Sequence, residues 1–410
     1  MSAPLVRPQD VAVPARVERY ARTALIVGGA GLGLTLLGAF FNPDQFFRSY
    51  LLGFLFWTSL SVGCLSIILI HHLTGGWWGL VIRRLLEAGA RTVPLCALLF
   101  LPLALGLPRI YEWADSVRAQ ADPILRHKAL YLNVPFFLGR AAFYFAVWTL
   151  LAFVLDRSSM EIDAAAGDQR RYLRASSRLR GVGGAGLLLM GFTITFSAVD
   201  WAMSLDAHWF STVYGVLFMV GQAVSAMALM IVMVALLGRE DPLARVLEPT
   251  DVHDLGKLLL AFVMLWAYIN ISQWIIIWSA NLSEETPWYI RRLHGGWQYV
   301  ALLLVVFHFL LPFLMLLSRD LKRDARRLAL VAGGVLVMRV VDLFWLVAPD
   351  AAIGHGAGHG GLHVHWMDLT AVAGVGGVWL WFFARALSRR PFLTLGEPDI
   401  RARLQERRAA

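Results

Sequence analysis

Apolar residues recur along this chain in ten long runs, at roughly 23–41, 51–73, 89–107, 135–155, 181–202, 212–237, 256–279, 297–317, 328–348 and 367–387. Shorter stretches rich in charge, glycine and proline separate them. About 20 helical residues cross the ~30 Å hydrocarbon core of a bilayer, and each run is about that long. The pattern predicts an all-α polytopic membrane protein of about ten transmembrane helices.

Composition agrees with this reading. With 58% hydrophobic and 16% charged residues, the chain could not cover a soluble surface. Its net charge of +9 does not point to nucleic acid, because the basic residues fall in the loops and tails between runs. Ten spans put both termini on one side. Of the 37 Lys and Arg, 28 then lie on the terminal side and 7 on the other, with Arg140 and Arg339 inside the membrane. By the positive-inside rule both termini are expected in the cytoplasm.

The expected layout is a cytoplasmic tail over 1–22, a single transmembrane domain over 23–388 and a cytoplasmic tail over 389–410. The N-terminal tail carries no cleavable signal peptide, so the first run is expected to remain as a helix. Cys64 and Cys96 both sit inside apolar runs and read as small hydrophobes. No C-x-x-C or C-x-x-C-H occurs to hold a cluster or covalent haem.

The chemistry concentrates in the run 328–348, which is long enough to span yet contains Arg339 and Asp342. A charge at that depth costs on the order of 2.5–3.5 kcal/mol on insertion scales, and such residues normally mark a proton, ion or ligand path. The simpler reading is that the two, three apart on one helix face, pair and staple helices. Further polar residues fall between mid-membrane and the outer surface: Arg140, Asp200, Gln222, Asn270, Gln273, His308 and Asp368. As a set with Arg339 and Asp342, they are candidates to bind a polar head group and to accept or release its protons. At the cytoplasmic ends, His71 and His72, and then His253, Asp254 and Lys257, are candidates for proton entry.

A bis-histidine haem is not expected, because His72 and His308 lie at different depths. The glycine-rich stretch 349–366 carries His355, His359, His363 and His365, a weak pattern for a metal on a flexible loop, and no metal site is assigned. Runs two to five and six to nine suggest two four-helix units in the same orientation. FSAVDW around Asp200 and MRVVDL around Asp342 align aspartate on aspartate in the fourth helix of each.

Several long stretches resemble a family of integral membrane subunits, the second quinone-binding type, of alternative complex III. That complex is a bacterial quinol:electron-acceptor oxidoreductase, and the family lies within the NrfD and polysulfide-reductase membrane-subunit superfamily. The stretches are HHLTGGWWGLVIRRLLEAGAR from His71, YLNVPFFLGRAAFY from Tyr131, VDWAMSLDAHWFSTVYGVLFMVGQ from Val199 and HDLGKLLLAFVMLWAYINISQW from His253, continuing to Gln298. SRDLKR from Ser318 and the MRVVDLFWLVAP run from Met338 belong with them.

The resemblance implies two four-helix bundles, about 51–202 and 212–348, plus two peripheral helices. It implies partners as well: a second membrane subunit homologous to this chain, and multihaem cytochrome and iron–sulfur subunits that hold all the redox centres. This chain would then supply a pocket for menaquinone or ubiquinone, a proton path, or both, with no covalently bound cofactor. A stand-alone proton-coupled secondary transporter and a purely structural anchor subunit are the alternatives.

Overall fold

The computed structural model describes residues 13–165, 168–351 and 361–409. Among them are ten helices long and apolar enough to cross a membrane: α1 Arg16–Phe41, α2 Pro43–Thr74, α3 Trp77–Leu105, α4 Val134–Ala164, α5 Gln169–Leu205, α6 Tyr214–Leu237, α7 Pro249–Ala280, α8 Trp297–Leu317, α9 Ala325–Asp350 and α10 Trp366–Ser388. No strand occurs among the described residues. This is an all-α polytopic membrane protein.

Successive spans alternate in direction, so α1 begins and α10 ends on one side, called here the termini face. Side chains tie the terminal segments to the loops of that face. Arg16 pairs with Glu240 at 2.9 Å, and Arg403 bonds Asp251 at 2.7 Å while stacking 3.6 Å from the Trp77 ring.

The central helix is α2, which packs against α1, α3, α5, α6, α9 and α10. The order α2, α3, α4, α5 closes into a ring, and α6, α7, α8, α9 closes into a second. Bundle one meets bundle two where α2 and α5 press on α6. Gly63 of α2 makes this crossing close, since a Cβ there would run into the Gln222 backbone of α6. The remaining helices, α1 and α10, lie outside bundle one against α2.

Each helix overlaps a predicted run, and most extend beyond it. Two helices start about three turns early, α5 at Gln169 rather than near 181 and α3 at Trp77 rather than near 89; α3 is the more informative. Its added turns carry Arg83, Arg84 and Glu87. Charged residues at a helix end ordinarily reach to water, yet all three are buried. Glu87 accepts from Arg83 Nε at 3.1 Å, Arg84 Nη1 at 2.6 Å and Ser159 Oγ at 2.6 Å. Arg84 reaches on to Asp163 of α4, and Arg83 to Glu397 of the C-terminal segment. The charges pair with one another across three parts of the chain, with Arg84 Nε and one Asp163 oxygen left without a partner among the described residues.

Lipid offers no hydrophobic drive for helix association, so contact depends on close packing of small residues. Between α1 and α10 these are glycines. A Cβ on Gly28 would lie 2.8 Å from the Gly377 carbonyl carbon, and one on Gly31 would lie 2.8 Å from the Gly374 nitrogen. One turn further along, Thr35 Oγ1 bonds Thr370 Oγ1 at 2.9 Å. A Thr35→Cys/Thr370→Cys pair should therefore cross-link readily in membranes, and adding Gly31→Leu should abolish the cross-link by forcing the backbones apart. A gel mobility assay under non-reducing conditions checks both outcomes.

Candidate functional site

At depth, bundle one holds Arg140 with Asp200 and bundle two holds Arg339 with Asp342, and the two pairs are completed differently. In bundle one, Arg140 Nε and Nη2 each donate to Asp200 at 2.8 Å, and Tyr144 adds its hydroxyl at 2.8 Å. Arg140 Nη1 donates to the Tyr131 carbonyl at 2.9 Å, and its guanidinium lies 3.8 Å from the Tyr131 ring and 4.3 Å from the Phe136 ring. Both carboxylate oxygens and the guanidinium are engaged, so this pair is a staple between α4 and α5.

The pair in bundle two is incomplete. Arg339, 0% exposed, gives Nη1 to one oxygen of Asp342. Trp266 Nε1 of α7 donates to that same oxygen at 3.1 Å. The second oxygen of Asp342, and Nε and Nη2 of Arg339, have no hydrogen-bond partner among the described residues. His308 of α8 packs edge-on against Trp266 with ring centres 4.3 Å apart. It is 1% exposed, and both of its ring nitrogens are likewise without a partner. Buried polar atoms are nearly always paired, so unpaired donors and acceptors gathered from two neighbouring helices are the strongest sign of a site in this molecule.

Local sequence explains the arrangement. In α9, Arg339 and Asp342 are three residues apart and so lie side by side. In α8, the segment Leu304–Leu310 is π-helical. Pro312 lacks the N–H that would bond the His308 carbonyl, and the widened turn is of the type often found at functional positions. Within this segment Leu304 and His308 are the residues turned inward. In α6, Gly221 leaves room for Arg339, because a Cβ there would lie 2.8 Å from the guanidinium Nε and closer still to Nη2. Along α7, Trp266, Asn270 and Gln273 follow one helix stripe; Trp266 and Gln273 are buried, while Asn270 folds back onto the Trp266 carbonyl at 2.9 Å.

The polar groups continue toward one face only. Buried Tyr214, at the start of α6, lies within electrostatic reach of Arg339 on one side and of Arg292 and Asp350 on the other. Gln273 is beside the Tyr289 hydroxyl without a hydrogen bond of good geometry. Above them, Arg292 grips Asp350 through Nη1 at 3.0 Å and Nη2 at 2.7 Å, and Trp288 Nε1 donates to Asp350 at 3.0 Å. The Trp288 ring stacks on Trp209 at 4.6 Å, and Arg291 bridges to Asp206. This cap closes bundle two at the face opposite the termini. Toward the termini face, buried Leu259 and Val263 of α7, Val331 and Val335 of α9, Met230 and Val234 of α6 and Leu316 of α8 form an apolar layer.

The other predicted residues are placed elsewhere. Gln222 sits at the seam between bundles, its backbone against Gly63 and its side-chain oxygen unpaired among the described residues. Asp368 caps α10 through the His365 N–H at 2.9 Å and accepts from Ser49 at 2.5 Å and Gln45 at 3.2 Å of α2, a completed anchor at the opposite face.

At the termini face, His253, Asp254 and Lys257 lie at the start of α7 beyond the apolar layer, with Lys257 bonded to Asp254 at 3.0 Å. His71 and His72 end α2 in bundle one, where they line a cavity of about 410 Å³ with Arg83, Tyr172 and Glu397. The five are not brought to the Arg339–Asp342 cluster. His365 caps α10 and His363 stands beside it, while His355 and His359 lie outside the described residues.

The sequence reading missed Trp266, Tyr214, Tyr144 and the Arg292–Asp350 clamp. Spacing offered a signal for Trp266, which precedes Asn270 by four residues and Gln273 by seven. Asp350 lies just beyond the run that ended at 348, on a helix that continues through it.

Replacing Gly221 by Ala should push the Arg339 guanidinium out of place at a cost of about 1–3 kcal/mol, the usual range for overpacking. Gly191→Ala, where a Cβ meets nothing within 4 Å, should leave stability unchanged. Thermal unfolding of the two variants in detergent, followed by tryptophan fluorescence, tests the contrast. No protein-family model matches this sequence, and comparison with curated proteins returns no match.

Proposed function

We propose that this chain is an integral membrane subunit of a respiratory or photosynthetic quinol:electron-acceptor oxidoreductase of the alternative complex III type, in which bundle two receives a quinone-type head group and the protons it exchanges. The observation that carries the reading is the incomplete Arg339–Asp342 pair beside unpartnered His308. The long motif resemblance supplies the reaction class.

The residues present suit such a head group. A quinone offers oxygen acceptors, for which Arg339 Nε and Nη2 are free donors; a quinol offers hydroxyl protons, for which Asp342 and His308 are free acceptors. Quinol oxidation releases two protons and two electrons, and a base within hydrogen-bond reach of the hydroxyl is the first requirement. In this scheme His308 takes one proton and Asp342 the other, while Arg339 keeps the carboxylate charged until it does so. Trp266 fixes the carboxylate orientation through its indole N–H. The electrons pass to haem or iron–sulfur centres of partner subunits, with the homologous membrane subunit alongside.

The polar line through Tyr214 to the Arg292–Asp350 cap gives protons a direction, away from the termini face. With the positive-inside rule placing the termini in the cytoplasm, that exit is the periplasmic side.

The first test is purification of the tagged chain in mild detergent with subunit identification and absorption spectra with and without added quinol. A co-purifying multihaem cytochrome that quinol reduces is the expected result; a lone, spectrally silent protein would overturn the reading. Within the complex, His308→Phe keeps the packing against Trp266 and breaks no hydrogen bond, so assembly should survive while turnover falls on the order of 10²-fold or more, the scale of a lost general base. Asp342→Asn should likewise impair turnover and proton release in assembled complex. If both variants assemble and turn over normally, bundle two is structural.

A further inference from the structure

Away from the buried cluster, the termini face carries a second feature that the quinol reading does not use. A cavity of about 690 Å³ opens between the ends of α3, α4 and α10. Four arginines line it, Arg91, Arg385, Arg389 and Arg390, against a single lining carboxylate, Asp156. That carboxylate is already engaged. One oxygen takes Arg91 and the other accepts from Arg390 Nη2 at 2.6 Å, while Arg91 Nη1 also donates to the Ala386 carbonyl at 3.1 Å. Asp156 thus builds the floor and fixes two of the arginines in place.

Arg385 and Arg389 are left exposed and without an ion pair among the described residues. The Arg385 guanidinium lies 5.2 Å from the Trp381 ring. Burial and the neighbouring Arg91 hold the Arg390 guanidinium below its usual range, as expected where positive charge is crowded without enough negative charge to answer it. Elsewhere on this face the buried arginines Arg83 and Arg84 have carboxylate partners.

The depth of the cavity narrows the ligand. Trp381 stands one turn deeper into the membrane than Arg385, where amphipathic rings mark the interface. On α4, Asp156 shares a stripe with Met160, 44% exposed, and with Phe153, whose exposed ring lies a turn deeper on the flank of the helix. A ligand here meets arginines at its head and exposed apolar side chains along its body. Basic pockets between helices at this level suit anionic lipid head groups.

We propose that the cleft between α4 and α10 is a binding site for an anionic phospholipid of the leaflet at the termini face, with the phosphate held by Arg385 and Arg389 over the Arg91–Asp156–Arg390 floor and the acyl chains descending along Trp381 and Phe153.

The test is lipid retention by the purified full chain, with whatever subunits accompany it, in native mass spectrometry. Samples are delipidated and then supplied with phosphatidylglycerol, phosphatidylcholine or inorganic phosphate. Phosphatidylglycerol should be retained in preference to phosphatidylcholine. The double variant Arg385→Gln/Arg389→Gln should weaken that retention by about 10- to 30-fold, the scale of two interfacial arginines. A control with the same charge change, Arg326→Gln/Arg327→Gln at the exposed start of α9, should retain it fully.

Both arginines are exposed, so the double variant is expected to keep the size-exclusion profile of the parent. Equal retention of the two lipids, or an unchanged affinity in the double variant, overturns the proposal. So does displacement of the lipid by inorganic phosphate at matched concentration, which would mark a simple anion pocket. Loss of a companion polypeptide with lipid retention intact would identify the face as a protein contact, and the lipid assignment would fall.

Discussion

An arginine buried between helices in lipid must find all of its hydrogen bonds inside the protein, because no water is at hand to supply them. Much of this structure can be understood as ways of meeting that demand. Arg140 meets it with both oxygens of Asp200, a backbone carbonyl and two aromatic faces. Arg292 meets it with both oxygens of Asp350 and the carbonyls of Trp288, Trp345 and Leu346. Arg83 and Arg84 meet most of it through a shared network on Glu87, with only Arg84 Nε unpartnered among the described residues. Each solution joins segments distant in sequence, so the charges that cost most to bury are also what fixes the order of the helices.

Arg339 stands apart because it falls furthest short of the demand among these arginines. It lies at greater depth than the others, has one carboxylate oxygen as its partner and keeps two donor nitrogens unused among the described residues. Removing one member of a buried pair commonly costs ~3–5 kcal/mol, which argues that the pair itself is needed for folding. It does not account for the unused positions, nor for His308 held beside them with two unpaired nitrogens. A staple could have been completed with one more carbonyl or hydroxyl, as happens at Arg140. The excess of donors and acceptors is what separates a site from a staple.

The chain's apolar runs made the ten helices legible, because hydropathy over about 20 residues responds to the same constraint that the bilayer imposes. Helix ends were less legible, and α3 shows why. Its first turns look polar in sequence, yet Arg83, Arg84 and Glu87 are apolar in effect once they neutralise one another, and that depends on Ser159, Asp163 and Glu397 being brought to them. Arg339, Asp342 and His308 stood out because each is conspicuous within an apolar run. Trp266 and Tyr214 did not, since an aromatic residue in a membrane helix attracts no notice until its polar atom is seen to face a charge. The pairing of Arg140 with Asp200 likewise lay beyond a one-dimensional reading: both were visible as buried charges, but whether a charge is spent or available is a property of its neighbours.

That distinction bears on the two bundles as wholes. Each closes as a ring of four helices, and each places an aspartate in its fourth helix paired to an arginine. In bundle one the arginine comes from the neighbouring helix α4 and locks it to α5. In bundle two it comes from the same helix as the aspartate, so the ion pair itself joins no two helices, α7 is tied on by the Trp266 N–H, and α8 is free to contribute a histidine instead. Moving the arginine from a neighbouring helix to the aspartate's own helix converts an interhelical lock into a local pair with unused valence. The helix relieved of the locking task is the one that carries the π-helical turn and Pro312, a backbone irregularity that a helix held rigid by an ion pair would have less freedom to adopt. A single relocation of one charge thus accounts for why the rigid scaffold and the chemically open site fall in different bundles of similar architecture.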